Sequence, residues 1–471
     1  MSSTVAIART TLIQIIGKAL AVLLGVATIS IIMRYLGQTG FGYFTTALAF
    51  MTMAATMADL GLSVVALREL SANPEQEQKT FNNVFTLRLF SSLLVLILAC
   101  LLILFFPYQP IVKLAALIVS FSFLFNSLVQ VLTTLFQKYL RMGMVVVAEN
   151  LGRIITLIWT LAIIQTNGNL LWIITGSVIN SAIFCLILFL ASHKFVHFAF
   201  SFDPAVWTKI WHKTWPLALT IVFNMVYFRA DTIILSIYWP ANYVGLYGAP
   251  YRILELLATF PHMFLGLVVP LLTTAWLTDR AKFLSHTQKV WDFFLLITLP
   301  LIILGQVLSV PIMLLLGGST FLASAPILRI LVWPTAFIFL SALFNYLVVI
   351  TEQQKKMIAW YATSAVLAFG SYLIFIPRFH YWAAALITLF IELLMLIGTM
   401  RIYHQTAGHL PNFKNGRNYL LASVMSAMLV LPFLSQPYAA LIIAPLAYTA
   451  ILLLFNWMDW NLIKNILTKK S

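Results

Sequence analysis

The sequence predicts an all-α integral membrane protein of about 14 transmembrane helices, arranged as two pseudo-repeated six-helix bundles followed by two further helices. Three observations carry this. Hydrophobic residues make up 62% of the chain and charged residues only 9%, against roughly a quarter charged in soluble domains. Apolar runs near 20 residues recur with short polar breaks, each long enough to cross a hydrocarbon core about 30 Å thick as a helix. Residues 236–251 also repeat the pattern of residues 33–48. A membrane barrel is excluded, because its strands would read as about ten residues of alternating polarity.

The runs fall at roughly 10–33, 41–66, 83–106, 112–135, 146–166, 170–191, 214–237, 248–276, 290–316, 326–350, 358–377, 382–403, 418–434 and 439–457. The first is too long for a cleavable signal peptide and lacks a small-residue cleavage pattern after it, so it is expected to stay in the membrane. The eighth contains Pro250, Pro261 and Pro270 and is read as one kinked span, since neighbouring helices can satisfy the freed carbonyls. Cys100 and Cys185 lie inside apolar runs without metal or redox spacing and read as packing residues.

Loop cations set the orientation. One set of loops and tails holds Arg9, Arg68, Lys79, Lys138, Arg141, Lys194, Lys209, Lys213, Arg280, Lys282, Lys289, Lys355, Lys356, Arg401, Lys414, Arg417, Lys464, Lys469 and Lys470. The other set holds only Arg34, Lys113 and Arg378. Positive loops stay inside, which puts both termini in the cytoplasm. The same rule explains the net charge of +15 without nucleic acid as a partner. No nucleotide-binding loop or metal-ligand spacing occurs, so no cofactor is expected.

The longest internal loop, HKFVHFAFSFDPAVWTKIWHK, interleaves aromatics with Lys and His, a pattern suited to the lipid interface. It divides the chain into an N-terminal lobe at 1–191, a cytoplasmic linker at 192–213, a C-terminal lobe at 214–403, and helices 13 and 14 with a tail at 404–471. The echo between lobes supports the division. Aligning Gly42 with Gly245 places Phe44 on Tyr247 and Tyr35 on Tyr238, and Leu60-Gly61-Leu62 recurs as Leu265-Gly266-Leu267. Duplicated bundles of this kind are common in transporters.

The hairpin from Met33 to Leu70 is the template for the chain. Its RYLG (34–37), GFGYF (40–44), ADLGLS (58–63) and REL (68–70) resemble the amino-terminal signature of Wzx-like bacterial polysaccharide flippases, of O-antigen or capsule type, in the multidrug, oligosaccharidyl-lipid and polysaccharide exporter superfamily. RADTIILS (229–236) with VGLYGAPYRILE (244–255) is similar to that family's second-lobe hairpin. Gln38 and Thr39 stand where the family often has Pro and an acid, a departure in turn chemistry. The resemblance implies two bundles facing across a cavity that opens alternately to either side of the cytoplasmic membrane. It also implies transport of a polyprenyl-diphosphate-linked oligosaccharide between leaflets, with membrane lipids, a polysaccharide polymerase and chain-length proteins as partners.

Ionisable residues inside spans are costly and face a cavity or a partner. Lys18 and Asp59 lie at matching depth on consecutive helices, as a structural ion pair or as cavity groups. Arg229 and Asp231 near the outer end of span seven share a layer with Arg252 and Glu255 near the outer start of span eight. Arg252 and Glu255 can also meet on one helix face. For the implied diphosphate the candidates are Arg229, Arg252, Arg329 and Lys18, because guanidinium matches phosphate oxygens in a bidentate fork. Arg88 reads as a snorkelling residue and Glu149–Arg153 as an intrahelical pair. Glu392 lies mid-span with no cation in reach on its helix and is suited to exchange a proton with a hydrating cavity. It heads the cation-coupling candidates, with Asp59, Asp231 and Glu255. Asn126, Gln130, Asn180, Asn224, Tyr227 and Asn345 are polar enough to contact sugar or to bridge helices.

Two other readings stay open at this point. A cation-coupled drug or metabolite exporter of the same fold would need an acid-rich cavity, which the span cations oppose. A lipid II flippase would share the fold, but its Pro-Asn-hydrophobic-Arg stretch is not visible after the second span. A membrane polymerase or ligase would normally carry a large outer loop, and the outer loops here have about ten residues or fewer, so an enzyme is not expected.

Overall fold

The computed structural model describes residues 3–72 and 74–457, and every regular element among them is a helix. In order these are α1 Ser3–Asp59, α2 Leu62–Ala72, α3 Glu77–Leu102, α4 Pro110–Lys138, α5 Met142–Gln165, α6 Leu170–Ser192, α7 Pro204–Tyr238, α8 Ala241–Thr278, α9 Arg280–Gly317, α10 Ala325–Ile350, α11 Gln354–Ala407, α12 Lys414–Val430 and α13 Pro437–Leu454. Short 3₁₀ turns supplement them. The side chain of Arg9 and the tail residues Lys464, Lys469 and Lys470, counted among the inner-face cations, lie outside the described residues.

Two helices are too long to be single crossings. α1 has 57 residues and α11 has 54, about 85 and 80 Å at 1.5 Å per residue. Each is two helices joined at one non-helical residue. In α1 it is Gly37 (φ 63°, ψ −174°) within RYLG, and in α11 it is His380 (φ 44°, ψ −134°), three residues after Pro377. These breaks fall where the sequence places the turns between spans one and two and between spans 11 and 12. By length and composition, ten helices among the described residues can cross a membrane, or eleven with the bent α8. Fourteen is reached only by counting both arms of α1 and α11 and the 17-residue α12, so that number stands as a proposal.

The second span stops earlier than its apolar run. α1 ends at Asp59 and α2 begins at Leu62, across Leu60 (φ 45°) and Gly61 (φ 88°). Glycine takes a left-handed conformation without a Cβ clash, so Gly61 fixes the place of the break. The arm 38–59 is itself about 33 Å long, which sets Asp59 at one end of a crossing and not partway along one. The second Leu-Gly-Leu marks a bend too. The axis of α8 turns by 44° between Ala241–Gly266 and Val268–Thr278.

The chain divides into two compact units, Met1–Gly245 and Leu246–Ser471. In the first, α6 packs on α4 and α5, and α1 lies against α3, α4, α5 and α7. One core joins Leu62, Val65 and Leu70 of α2 to Phe81 and Val84 of α3 and Leu135 and Phe136 of α4. Cys185 is buried there and Cys100 is partly buried; both are free thiols. In the second unit α9 packs on α10, α12 and α13, and α10 packs on α11, around Phe294, Phe344, Leu347 and Tyr403.

The sequence divides the chain at 192–213, whereas the structure packs that segment and α7 into the first unit. The reason is a dense set of contacts with α2 and α3. Val196 and Ile210 belong to the same core, and Phe198 meets the rings of Phe81, Phe85 and Phe189 at 5.4, 5.3 and 4.3 Å. The Asp203 amide donates to Asn83 Oδ1 (2.7 Å) and the Ser201 amide to Thr86 Oγ1 (3.1 Å). Lys79 pairs with Asp203 at 2.6 Å, and Glu69 holds both Lys209 (2.6 Å) and Lys213. Phe200, Phe202, Trp211 and Trp215 stay exposed, so only part of the aromatic pattern is left for the lipid interface.

Gly42 and Gly245 show why the echo between residues 33–48 and 236–251 exists. A methyl group on Gly42 would overlap the Ala241 carbonyl, and one on Gly245 would overlap the Gln38 carbonyl. Each glycine thus packs on the residue four before the other. The two glycines are equivalent positions of the echo, each packed on the other's segment. Gly42→Ala and Gly245→Ala are expected to cost about 1–3 kcal/mol each through overpacking, read as a lowered unfolding temperature in detergent. Gly266→Ala, where a methyl group meets nothing within 4 Å, should be tolerated.

The ties of the 192–213 segment carry a pH dependence. Burial pushes the Glu69 carboxyl up, but hydrogen bonds from Lys209 and Lys213 outweigh it and hold the group below its ordinary range. The hydrogen bond from Lys79 does the same for Asp203. Carboxylates depressed in the folded state add stability above their unfolded pKa, and this is lost as pH falls through the folded value. Hydrogen-exchange protection factors of residues 192–213, corrected for the intrinsic pH dependence of amide exchange, should therefore be high near neutrality and fall below about pH 4.

Candidate functional site

A stripe of small residues brings α1 and α5 together. A methyl group on Gly17 would overlap Val146, one on Gly25 would lie 2.8 Å from Arg153 Nη1, and Ala21 between them is fully buried. Small residues at this spacing let membrane helices approach closely. Asn150 Nδ2 donates to the Gly17 carbonyl at 3.0 Å and locks the register. In consequence Lys18 Nζ lies 3.0 Å from Glu149 Oε1 and 3.4 Å from Oε2, while Arg153 Nη2 lies 3.0 Å from the same Oε1. The intrahelical Glu149–Arg153 pair forms, with Lys18 as a third member.

The pair between Lys18 and Asp59 does not form. Asp59 instead lies 2.7 Å from Arg88 Nη1, accepts from Ser63 Oγ at 2.8 Å and from the Gly61 amide at 3.3 Å. Arg88 is 1% exposed, so it is a core residue and does not snorkel. Its Nη1 donates to the Ala58 carbonyl (3.1 Å), Nη2 to Gln130 Oε1 (2.9 Å) and Nε to the Ser127 carbonyl (3.4 Å). Matching depth along two helices fixes height but not azimuth, and here azimuth decides the partners.

The layer of four charges predicted at the outer ends of spans seven and eight falls in both units. Arg229 and Asp231 are on α7 in the first; Arg229 is half-buried and Asp231 fully buried. Arg252 and Glu255 are on α8 in the second, paired at 2.7 Å on one helix face. Arg329 on α10 is exposed and its Nε donates to Ser309 Oγ at 2.8 Å; among the described residues it has no carboxylate partner. Glu392 on α11 is 3% exposed, and its Oε1 is buried without a hydrogen-bond partner.

The polar candidates for sugar contact divide. Gln130 is taken by Arg88, Asn224 donates to the Tyr227 hydroxyl at 2.9 Å, and Asn126 reaches Ser122 at 3.5 Å. Asn180 and Asn345 each keep a buried Oδ1 without a partner. Sequence reasoning missed Asp292, which is 4% exposed and accepts from Gln288 (3.0 Å) and Asn415 (2.8 Å). It seats α12 on α9, and its partner Asn415 is too distant in sequence to suggest the bond.

The family of polysaccharide biosynthesis proteins matches residues 7–276, more than half of the chain. The chain belongs to that family. Comparison with curated protein sequences gives no match. Among solved structures, this family member resembles the lipid II flippase MurJ in an inward closed conformation, with a TM-score of 0.72 at 16% identity over 93% of this chain and 98% of that one. It also resembles a multidrug resistance MATE family transporter of the MOP superfamily in an inward-facing conformation, with a TM-score of 0.65 at 14% identity over 86% and 95%. A MOP superfamily transporter from Pyrococcus furiosus gives 0.56 at 14% identity over 86% and 96%. At these identities the likeness is one of fold: this polysaccharide biosynthesis family member shares the all-helical fold of those proteins, and its many long apolar helices make it a multi-pass membrane protein.

The Arg88–Asp59 pair gives a direct test of its structural role. Arg88→Met leaves the Asp59 carboxylate without its cation and should cost about 3 kcal/mol or more. Replacing both residues, as Arg88→Met with Asp59→Leu, should cost less than Arg88→Met alone, measured by thermal unfolding in detergent.

Proposed function

We propose that this protein moves a polyprenyl-diphosphate-linked oligosaccharide from the inner to the outer leaflet of the bacterial cytoplasmic membrane by alternating access, for synthesis of a cell-surface polysaccharide. The observation that carries the reading is membership of the polysaccharide biosynthesis family over residues 7–276; the transporter fold agrees with it. Both termini are cytoplasmic in this reading, from the excess of inner loop cations. A polysaccharide polymerase and chain-length proteins act beside it. The chain works by carrying lipid and not by breaking bonds.

The charges divide by role. Arg229, Arg252, Arg329 and Lys18 attract the diphosphate, and Arg329, without a carboxylate partner, is the one whose donors are most available. Glu392, buried and without a cation, couples transport to a proton or sodium gradient. Asp59 serves only by parting from Arg88, and Asp231 and Glu255 stand behind Glu392.

The test is leaflet translocation of a fluorescent polyprenyl-diphosphate oligosaccharide in proteoliposomes, with and without an imposed proton gradient. Protein-dependent movement is expected, and Glu392→Gln should abolish its gradient dependence while sparing lipid binding. Arg329→Ala should weaken lipid binding about tenfold, as loss of a charged hydrogen bond worth about 1.5 kcal/mol implies. Export of a small organic cation in place of the lipid would favour a drug-exporter reading. Movement restricted to lipid II would favour a peptidoglycan flippase.

A further inference from the structure

The geometry points to Lys18, Glu149 and Arg153 as an anion site held closed by its own carboxylate: Glu149 stands in for a substrate phosphate, and the diphosphate takes over the two cations when it enters. Two cations share one carboxylate, so the cluster carries a net positive charge. The sharing is uneven. Glu149 Oε1 receives both Arg153 Nη2 and Lys18 Nζ at 3.0 Å, while Oε2 has only the 3.4 Å contact to Lys18.

The guanidinium is only partly used. Arg153 Nε is buried with no hydrogen-bond partner, so Glu149 uses only the Nη2 half of the Nε–Nη2 edge that can make a bidentate bond to phosphate. The guanidinium rests where Gly25 has no side chain, which fixes its plane without taking up its donors. Lys18, Arg153 and Glu149 have side-chain exposures of 36%, 29% and 17%. Charges at this depth do not face acyl chains, because exposure there is costly; the exposed edges therefore meet water or substrate.

Depth fits a ligand entering from the inner side. Glu149 and Arg153 lie about 10 and 16 Å from the start of α5, and Lys18 about 12 Å into its span. A phosphate oxygen replacing the carboxylate keeps both charge-assisted bonds, and a diphosphate supplies further oxygens for the unused Nε. Glu149 keeps the cations paired and pre-oriented in the empty protein and lowers affinity by competing for them. This rests on the reading that the cargo carries a diphosphate.

The experiment is binding of inorganic pyrophosphate to the full chain in nanodiscs by calorimetry. Glu149→Gln is expected to tighten binding at least tenfold over wild type, because the competitor is removed. Adding Arg153→Gln or Lys18→Gln to that variant should lose tenfold or more. Arg153→Lys, which keeps the charge but loses the fork, should fall between. Equal binding by wild type and Glu149→Gln, or unchanged binding after loss of Arg153, overturns the site. Unfolding temperatures confirm that each variant is folded; should Glu149→Gln unfold, Glu149→Ala and Glu149→Ser replace it in the same comparison. Translocation separates this from the wider reading. Glu149-dependent pyrophosphate binding without movement of any diphosphate-linked oligosaccharide keeps the site and removes the transport reading, whereas movement with Glu149-independent binding does the reverse.

Discussion

A helix that breaks inside a packed protein frees backbone carbonyls and amides that must be hydrogen-bonded elsewhere. The Arg88–Asp59 pair meets that constraint at the first hairpin, and much of the first unit is arranged around it. Where α1 stops, Asp59 accepts from the Gly61 amide and Arg88 donates to the Ala58 carbonyl. The guanidinium also reaches Gln130 and the Ser127 carbonyl on α4, so one side chain of α3 ties the broken end of α1 to α4. A buried arginine is costly unless its donors are satisfied and its charge is paired, and here both conditions hold. That gives Asp59 a structural duty which competes with any coupling role.

The parts of this arrangement that depend on local backbone chemistry were legible in the sequence. Gly37 in the RYLG turn and the alignment of Gly42 with Gly245 mark places where a left-handed residue is needed or a side chain would clash, and the structure turns or packs closely at each; the break at Gly61 was not legible, because the apolar run continues through it. Pairing of charges was not legible. Lys18 meets Glu149 across 131 positions and Arg88 meets Asp59 across a helix break. Both choices depend on which way each helix faces, and hydropathy is nearly uniform around helices that are apolar on every side. The 192–213 segment misled for a related reason. Its alternating aromatics and cations suit a lipid surface, but they suit equally a stretch of chain that buries Val196 and packs a half-buried Phe198 on the same core while leaving Phe200 and Phe202 exposed.

The reciprocal contact of Gly42 with Ala241 and of Gly245 with Gln38 adds a physical reason to the sequence repeat. Where the backbones of two equivalent segments touch, only glycine fits. A glycine at one position without its counterpart would leave one half of the contact blocked. The repeat is therefore preserved most visibly where it is sterically required, and blurred over the apolar faces, where any large hydrophobic residue serves.

The intramembrane acids fall into two electrostatic kinds, and that contrast bears on transport. Glu149 is engaged by two cations, Lys18 and Arg153. Glu392 has no ion pair among the described residues and an orphaned buried oxygen. An anionic cargo and a coupling cation need opposite surroundings: one requires positive charge held ready, the other a carboxyl group kept apart from positive charge. Under the proposed function the phosphate cations of the inferred anion site belong to α1 and α5 and the coupling acid to α11, and among the described residues no lysine or arginine pairs with Glu392.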